Sequence, residues 1–138
     1  MGLTLAWHCL NLGASVRVID PNGIANGASG GIVGALAPHV PENWNAKKQF
    51  QLESLLYSQK FWKSVDSVSG LNSGYRRTGR LQPLMDEHSV ALAQKRKESA
   101  DNLWQNSATW EIIDNSKDWN LTSPTGLWIF DTLSAIIY

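Results

Sequence analysis

Apolar residues recur at helical spacing at the start of the chain. Leu3, Ala6, Trp7 and Leu10 fall at i, i+3, i+4 and i+7 and predict a helix over 3–12 that Gly13 closes. Ser15 to Asp20 then reads as a short buried strand, rich in β-branched residues. Helix, glycine turn, strand and acid make the second part of a βαβ unit. Further on, Trp44, Phe50, Leu52, Leu55, Leu56, Phe61, Trp62 and Val65 give mixed helical spacing. They predict a helix over 46–67, closed by Gly70 and Gly74. Tyr75 to Met85 reads as two short strands around a Thr78-Gly79 turn, with Pro83 marking an edge or a strand end. Asp86 suits the N-cap of a helix over 87–106, with Val90, Leu92, Ala93 and Leu103 inward and Lys95, Arg96 and Lys97 outward. Trp110–Asp114 and Leu127–Phe130 are strand candidates, and 132–138 resumes an apolar extended pattern. The polar stretch 115–125, with Ser123-Pro124, is a loop.

Between the first strand and the second helix lies Asn26-Gly27-Ala28-Ser29-Gly30-Gly31-Ile32-Val33-Gly34-Ala35-Leu36-Ala37-Pro38, which holds four of the eleven glycines. Such density suits a backbone that approaches another group closely or takes positive φ. A flexible linker has similar composition, but Ile32, Val33 and Leu36 argue against one.

Composition narrows the classes. At 138 residues the chain has the length of one common domain, and 43% hydrophobic residues permit a modest core. Lysine plus arginine equals aspartate plus glutamate at twelve each, which removes the electrostatic case for nucleic acid. Seven tryptophans point to packing, in a core or between domains. The single cysteine, Cys9, fits a reducing compartment, so a cytoplasmic location is expected. No apolar run approaches a membrane span, and residues 1–13 do not read as a signal peptide. Adjacent His8 and Cys9 lack the spacing of a metal pair and read as packing residues, so no metal is expected. His39, just after the glycine stretch, is a weak active-site candidate, and His88 reads as solvated. Both ends look cut: a helix starts without an N-cap, and Ile136-Ile137-Tyr138 closes the chain on three large side chains. The expectation is therefore an internal piece of a longer protein, or the product of a misplaced start and a premature stop, weakly stable alone.

The order helix–Gly–strand–Asp, followed by Gly27-Ala28-Ser29-Gly30 and Gly34-Ala35-Leu36-Ala37-Pro38, resembles the FAD-dependent D-amino-acid oxidase superfamily. Glycine oxidases, D-amino-acid dehydrogenases and sarcosine oxidases belong there, as does the oxidase domain of a bifunctional enzyme that modifies the tRNA wobble uridine. Tyr75-Arg76-Arg77-Thr78-Gly79-Arg80-Leu81 resembles the family's first substrate-domain hairpin. Gly126-Leu127 with Asp131-Thr132-Leu133-Ser134-Ala135 resembles the stretch that returns to the cofactor domain. Of the family's Gly-x-Gly-x-x-Gly phosphate motif only the last glycine is present, as Gly2.

The resemblance implies an α/β, mixed α+β fold. Residues 1–74 would be a partial Rossmann-like FAD-binding region, and 75–138 part of a substrate-binding β-sheet domain. It implies FAD as cofactor, and contacts from Gly2, Asp20, Gly27, Ala28, Ser29, Gly30, Gly34, Ala35 and Leu36. Asp20 would accept hydrogen bonds from the ribose hydroxyls; the bland reading is a turn acid before Pro21-Asn22-Gly23. Ser29 would bind the pyrophosphate or ribityl region, or else cap the next turn. Gly34, Ala35 and Leu36 would lie near the flavin ring, a role compatible with a packed Gly–Ala corner. Arg76, Arg77 and Arg80 could clamp a substrate carboxylate, but read mainly as hairpin surface or interdomain contacts. The implied reaction is oxidation of the C–N bond of a small-molecule substrate, an amino acid or secondary amine, by hydride transfer to flavin, with no catalytic residue nominated in this chain. Two other readings stand beside it: an inactive remnant or interaction fragment of the same fold, and an NAD(P)-binding oxidoreductase. The second leaves the Gly27–Gly34 stretch and the 75–81 segment unexplained.

Overall fold

The computed structural model describes residues 2–27, 30–114 and 120–137. The chain divides into two compact units, 1–32 and 33–138. The first contains helix α1 (Gly2–Asn11), whose bounds match the periodicity. The backbone amides of Leu12 and Gly13 close it onto His8, Cys9 and Leu10 carbonyls, and Gly13 takes φ +80°. Ala6 is buried on the predicted face and Trp7 is half-buried, whereas Leu3 and Leu10 are exposed.

The strand predicted over Ser15–Asp20 is not formed. Residues 14–20 carry no strand assignment and are all exposed, Ile19 at 80%. A strand exists through its ladder, and among the described residues no segment pairs with this one. Its β-branched composition supplies propensity but no partner.

The second unit holds two small sheets and two helices. Strand β1 (Gly34–Leu36) pairs antiparallel with β5 (Ala135–Ile137), setting Gly34 opposite Ile137 and Leu36 opposite Ala135. Strands β2 (Arg80–Pro83), β3 (Trp110–Ile113) and β4 (Trp128–Asp131) form an antiparallel sheet in the order β2-β4-β3. Every strand pair among the described residues is antiparallel. Pro83 ends the edge strand β2, where its missing N–H costs no ladder bond.

The expected hairpin over 75–85 is corrected. Its two halves pair not with each other but with the end of the chain. Arg76 bridges Ile136 through two backbone hydrogen bonds of 2.9 Å, and β2 pairs with β4. Gly79 sits between them at φ +73° and donates its N–H to the Ser134 carbonyl. A Cβ there would lie 2.7 Å from both the Asp131 carbonyl oxygen and the Phe130 ring. Gly79 is therefore a sheet-to-sheet crossing point, not a reverse turn.

Helix α2 (Ala46–Ser69) begins at Asn45, whose side chain accepts from the Lys48 amide, and ends at Gly70 in the left-handed region. Helix α3 (Glu87–Leu103) begins at Asp86 with a full capping box through Ser89. The Ser89 amide and hydroxyl hold the Asp86 carboxyl below its usual range. This helix ends at Leu103, short of the expected 106, because Gln105 and Asn106 take φ +46° and +63°. Leu52 and Leu55 of α2, Ala93 and Ala100 of α3, and Trp104, Trp110, Ile129 and Leu133 form one buried cluster. Trp104 and Trp110 meet edge to face at 6.0 Å. The part of the predicted loop that is described, 120–125, is irregular; Thr125 Oγ1 donates to the Leu84 carbonyl at 2.7 Å.

Candidate functional site

The expected cofactor residues fall in both units. In the first, Gly2 is the first residue of α1 and is exposed. Asp20 is exposed too, and its Oδ1 accepts from the Asn22 amide at 2.9 Å. That Asx turn orients the carboxylate while leaving it open to solvent. The Gly30 N–H donates to the Gly27 carbonyl at 3.0 Å. Ala28 and Ser29 lie outside the described residues.

The glycines differ in what requires them. A Cβ on Gly30 would lie 2.2 Å from the Ala25 carbonyl oxygen, and one on Gly34 would lie 2.8 Å from Ile137 Cγ2. Those two are demanded by the chain's own packing. At Gly2 and Gly27 a Cβ would meet nothing within 4 Å, and neither residue takes a positive φ. Internal packing gives no reason for glycine there; an approaching group would.

In the second unit, Gly34, Ala35 and Leu36 are β1, held by β5. The segment leaving β1 is fastened by α2. Gln51 accepts from the His39 amide at 2.7 Å and donates to the Ala37 carbonyl at 3.3 Å. Lys48 Nζ donates to the Val40 carbonyl at 3.2 Å and to the Glu42 carbonyl. Glu42 in turn accepts two hydrogen bonds from Arg96 of α3, at 2.8 and 3.0 Å. The expected outward position of Arg96 is thus corrected: it reaches across to a carboxylate. Sequence patterning missed Gln51 and Lys48 because polar residues on an amphipathic helix normally face water.

The three arginines of 76–80 separate. Arg80 Nε donates to Asp131 Oδ2 at 3.0 Å, while Asp131 Oδ1 accepts from the Ser134 amide at 2.8 Å. Asp131 is fully buried, so this pair is structural. Arg77 donates to the Thr132 and Ser107 carbonyls. Arg76 is exposed and engages Ile136 through its backbone. In the sequence Asp131 stands only within the 131–135 stretch that carries the resemblance, with no role of its own; its signal was the isolated acid that ends an apolar strand. Among the described residues no group of three His, Cys, Asp or Glu side chains could hold a metal ion, and no helix is long and apolar enough to cross a membrane.

The family model DAO, FAD dependent oxidoreductase, matches residues 1–132. This chain belongs to that family. A relative within reach of this family member is the tRNA 5-methylaminomethyl-2-thiouridine biosynthesis bifunctional protein MnmC of Hydrogenovibrio crunogenus (strain DSM 25203 / XCL-2). The two are 28% identical over 97 residues, which cover 67% of this chain and 14% of that protein. The chain thus spans a small part of the length of the curated relative it matches. No solved structure matches it.

Proposed function

We propose that the chain is part of an FAD-dependent oxidoreductase acting on the C–N bond of an amino acid or secondary amine. Family membership over residues 1–132 carries this reading. The name of the relative supports the amine class, since it concerns a nucleoside that bears a methylaminomethyl group. Residues 1–74 would serve the Rossmann-like FAD-binding region and 75–138 the substrate side.

Bound FAD would supply the hydride acceptor. This chain's residues would hold and orient it. Asp20, its carboxylate steadied by the Asn22 amide, would accept from the ribose hydroxyls. The side-chain-free backbone at Gly2 and Gly27 would admit the pyrophosphate, with Ala28, Ser29 and Gly30 beside it. Gly34, Ala35 and Leu36, kept in place by β5 and by the α2 side chains that fasten 37–42, would present a thin, rigid edge to the flavin ring.

Flavin fluorescence on titrating FAD into the chain tests the site. Weak, saturable quenching is expected. Asp20→Ala should weaken it about tenfold, the value of a charged hydrogen bond. Gly27→Val should remove it while leaving the circular dichroism spectrum unchanged, because a side chain at 27 meets nothing in the fold. Equal FAD affinity in parent and both variants, or tighter binding of NADH than of FAD, would overturn the assignment.

A further inference from the structure

An open cavity lies wholly within the second unit and uses none of the cofactor residues. It is open to solvent and offers about 460 Å³ between the C-terminal half of α2 and the segment before Gly79. Trp62, Lys63 and Asp66 line it from the helix, and Tyr75, Arg76 and Arg77 from the segment. A volume of this size accommodates a small organic ligand.

Its charge is unbalanced. Three cationic residues and one acidic residue line it, and that acid is already engaged: Asp66 accepts from the Ser73 amide at 2.8 Å and from the Ser73 hydroxyl at 3.2 Å. Among the described residues no carboxylate pairs with Lys63, Arg76 or Arg77. Arg77 is pinned by the Thr132 and Ser107 carbonyls, which fixes one positive wall. Lys63 and Arg76 are exposed. The aromatic walls are also set. Trp62 is held edge to face by Phe61, ring centroids 5.0 Å apart. Burial pushes the Tyr75 phenol up from its ordinary value, against the opposing Arg77 charge, so at neutral pH it remains a hydrogen-bond donor.

The geometry points to an anion site for a phosphate monoester that carries a flat ring, the chemical class of nucleotides. Several cationic groups suit a phosphate, whose charge is about −1.5 to −2 at neutral pH, better than a single carboxylate. Trp62 and Tyr75 supply faces for the ring. Ligand binding here stands apart from FAD, since its residues and those proposed for the cofactor do not overlap.

Calorimetric titration of the full chain with phenyl phosphate, inorganic phosphate and benzoate tests the site at low salt. Phenyl phosphate should bind, tighter than inorganic phosphate by about fivefold for the ring contacts. The double variant Lys63→Ala/Arg76→Ala should lose about tenfold in affinity with an unchanged circular dichroism spectrum, because both side chains are exposed. Lys47→Ala, on the first turn of α2, should bind as the parent does. Trp62→Leu should erase the preference for phenyl phosphate and spare inorganic phosphate. The inference is overturned if phenyl phosphate gives no heat in the millimolar range, if the double variant binds like the parent, or if benzoate binds as tightly as phenyl phosphate.

Discussion

At the level of single residues, Asp131 ties two sheets together. It ends β4, pairs with Arg80 of β2, and accepts from the Ser134 amide just before β5. Its carboxylate is fully buried while water still reaches Arg80. Arg80→Ala would leave a buried charge without its cation. We expect a loss of about 2 kcal/mol in urea denaturation, below the 3–5 kcal/mol of a fully enclosed pair because Arg80 is partly solvated. A loss indistinguishable from zero would mean that the pair is incidental to the fold. Gly79 belongs to the same junction: the Asp131 carbonyl and the Phe130 ring occupy the space of its missing side chain. None of this was visible in the pattern of residues. Arg80 and Asp131 are 51 positions apart, and a pair at that separation leaves no periodic trace.

Between elements, α2 and α3 are joined through the chain that leaves β1. Gln51 and Lys48 grip its backbone, and Glu42 hands it to Arg96. The Arg96 guanidinium holds the Glu42 carboxyl below its ordinary 4.5, against the smaller opposing effect of burial. A carboxyl with a depressed folded pKa stabilises fully above its unfolded value, and the stabilisation disappears as pH falls through the folded one. Arg96→Ala should therefore cost about 0.5–1 kcal/mol at pH 7, the range for a partly exposed pair. The difference between parent and variant should shrink as the pH is lowered below 4.5. Thermal melts of both at several pH values check this; a difference that stays constant into acid would refute the pairing. Where a helix end was legible the cap was local chemistry: Gly70 and Asp86 each act within a few positions, whereas the Asn45 cap and the stop of α3 at Leu103 were not read from the sequence. Strand partnership is not local. Ser15–Asp20 had strand composition but no ladder, and 75–85 had hairpin composition but paired with residues 128–136. The proposed cofactor residues rest on a glycine pattern. Which glycines the fold itself requires, Gly30 and Gly34 as against Gly2 and Gly27, needed coordinates.

Across the whole molecule the two units differ in what they bury. The second has the tryptophan pair, the α2 and α3 leucines and alanines, and both sheets around one core. Among the described residues of the first, only Ala6 is buried, while Leu12, Ile19 and Ile32 are 86%, 80% and 91% exposed. Helix α1 has ten residues, below the length at which an isolated helix is stable in water, roughly 12–15. Helical hydrogen bonds with so little apolar burial open at small free-energy cost. Native-state hydrogen exchange should therefore show α1 amides exchanging early and those of α3 and β4 late. Added FAD, if Gly2, Asp20 and Gly27 contact it, should slow exchange in α1, since mass action stabilises the unit that binds. Equal protection of α1 and β4 in the absence of FAD would show that residues 1–32 draw their stability from the same cooperative core as the rest, and the separate behaviour of the two units would have to be abandoned.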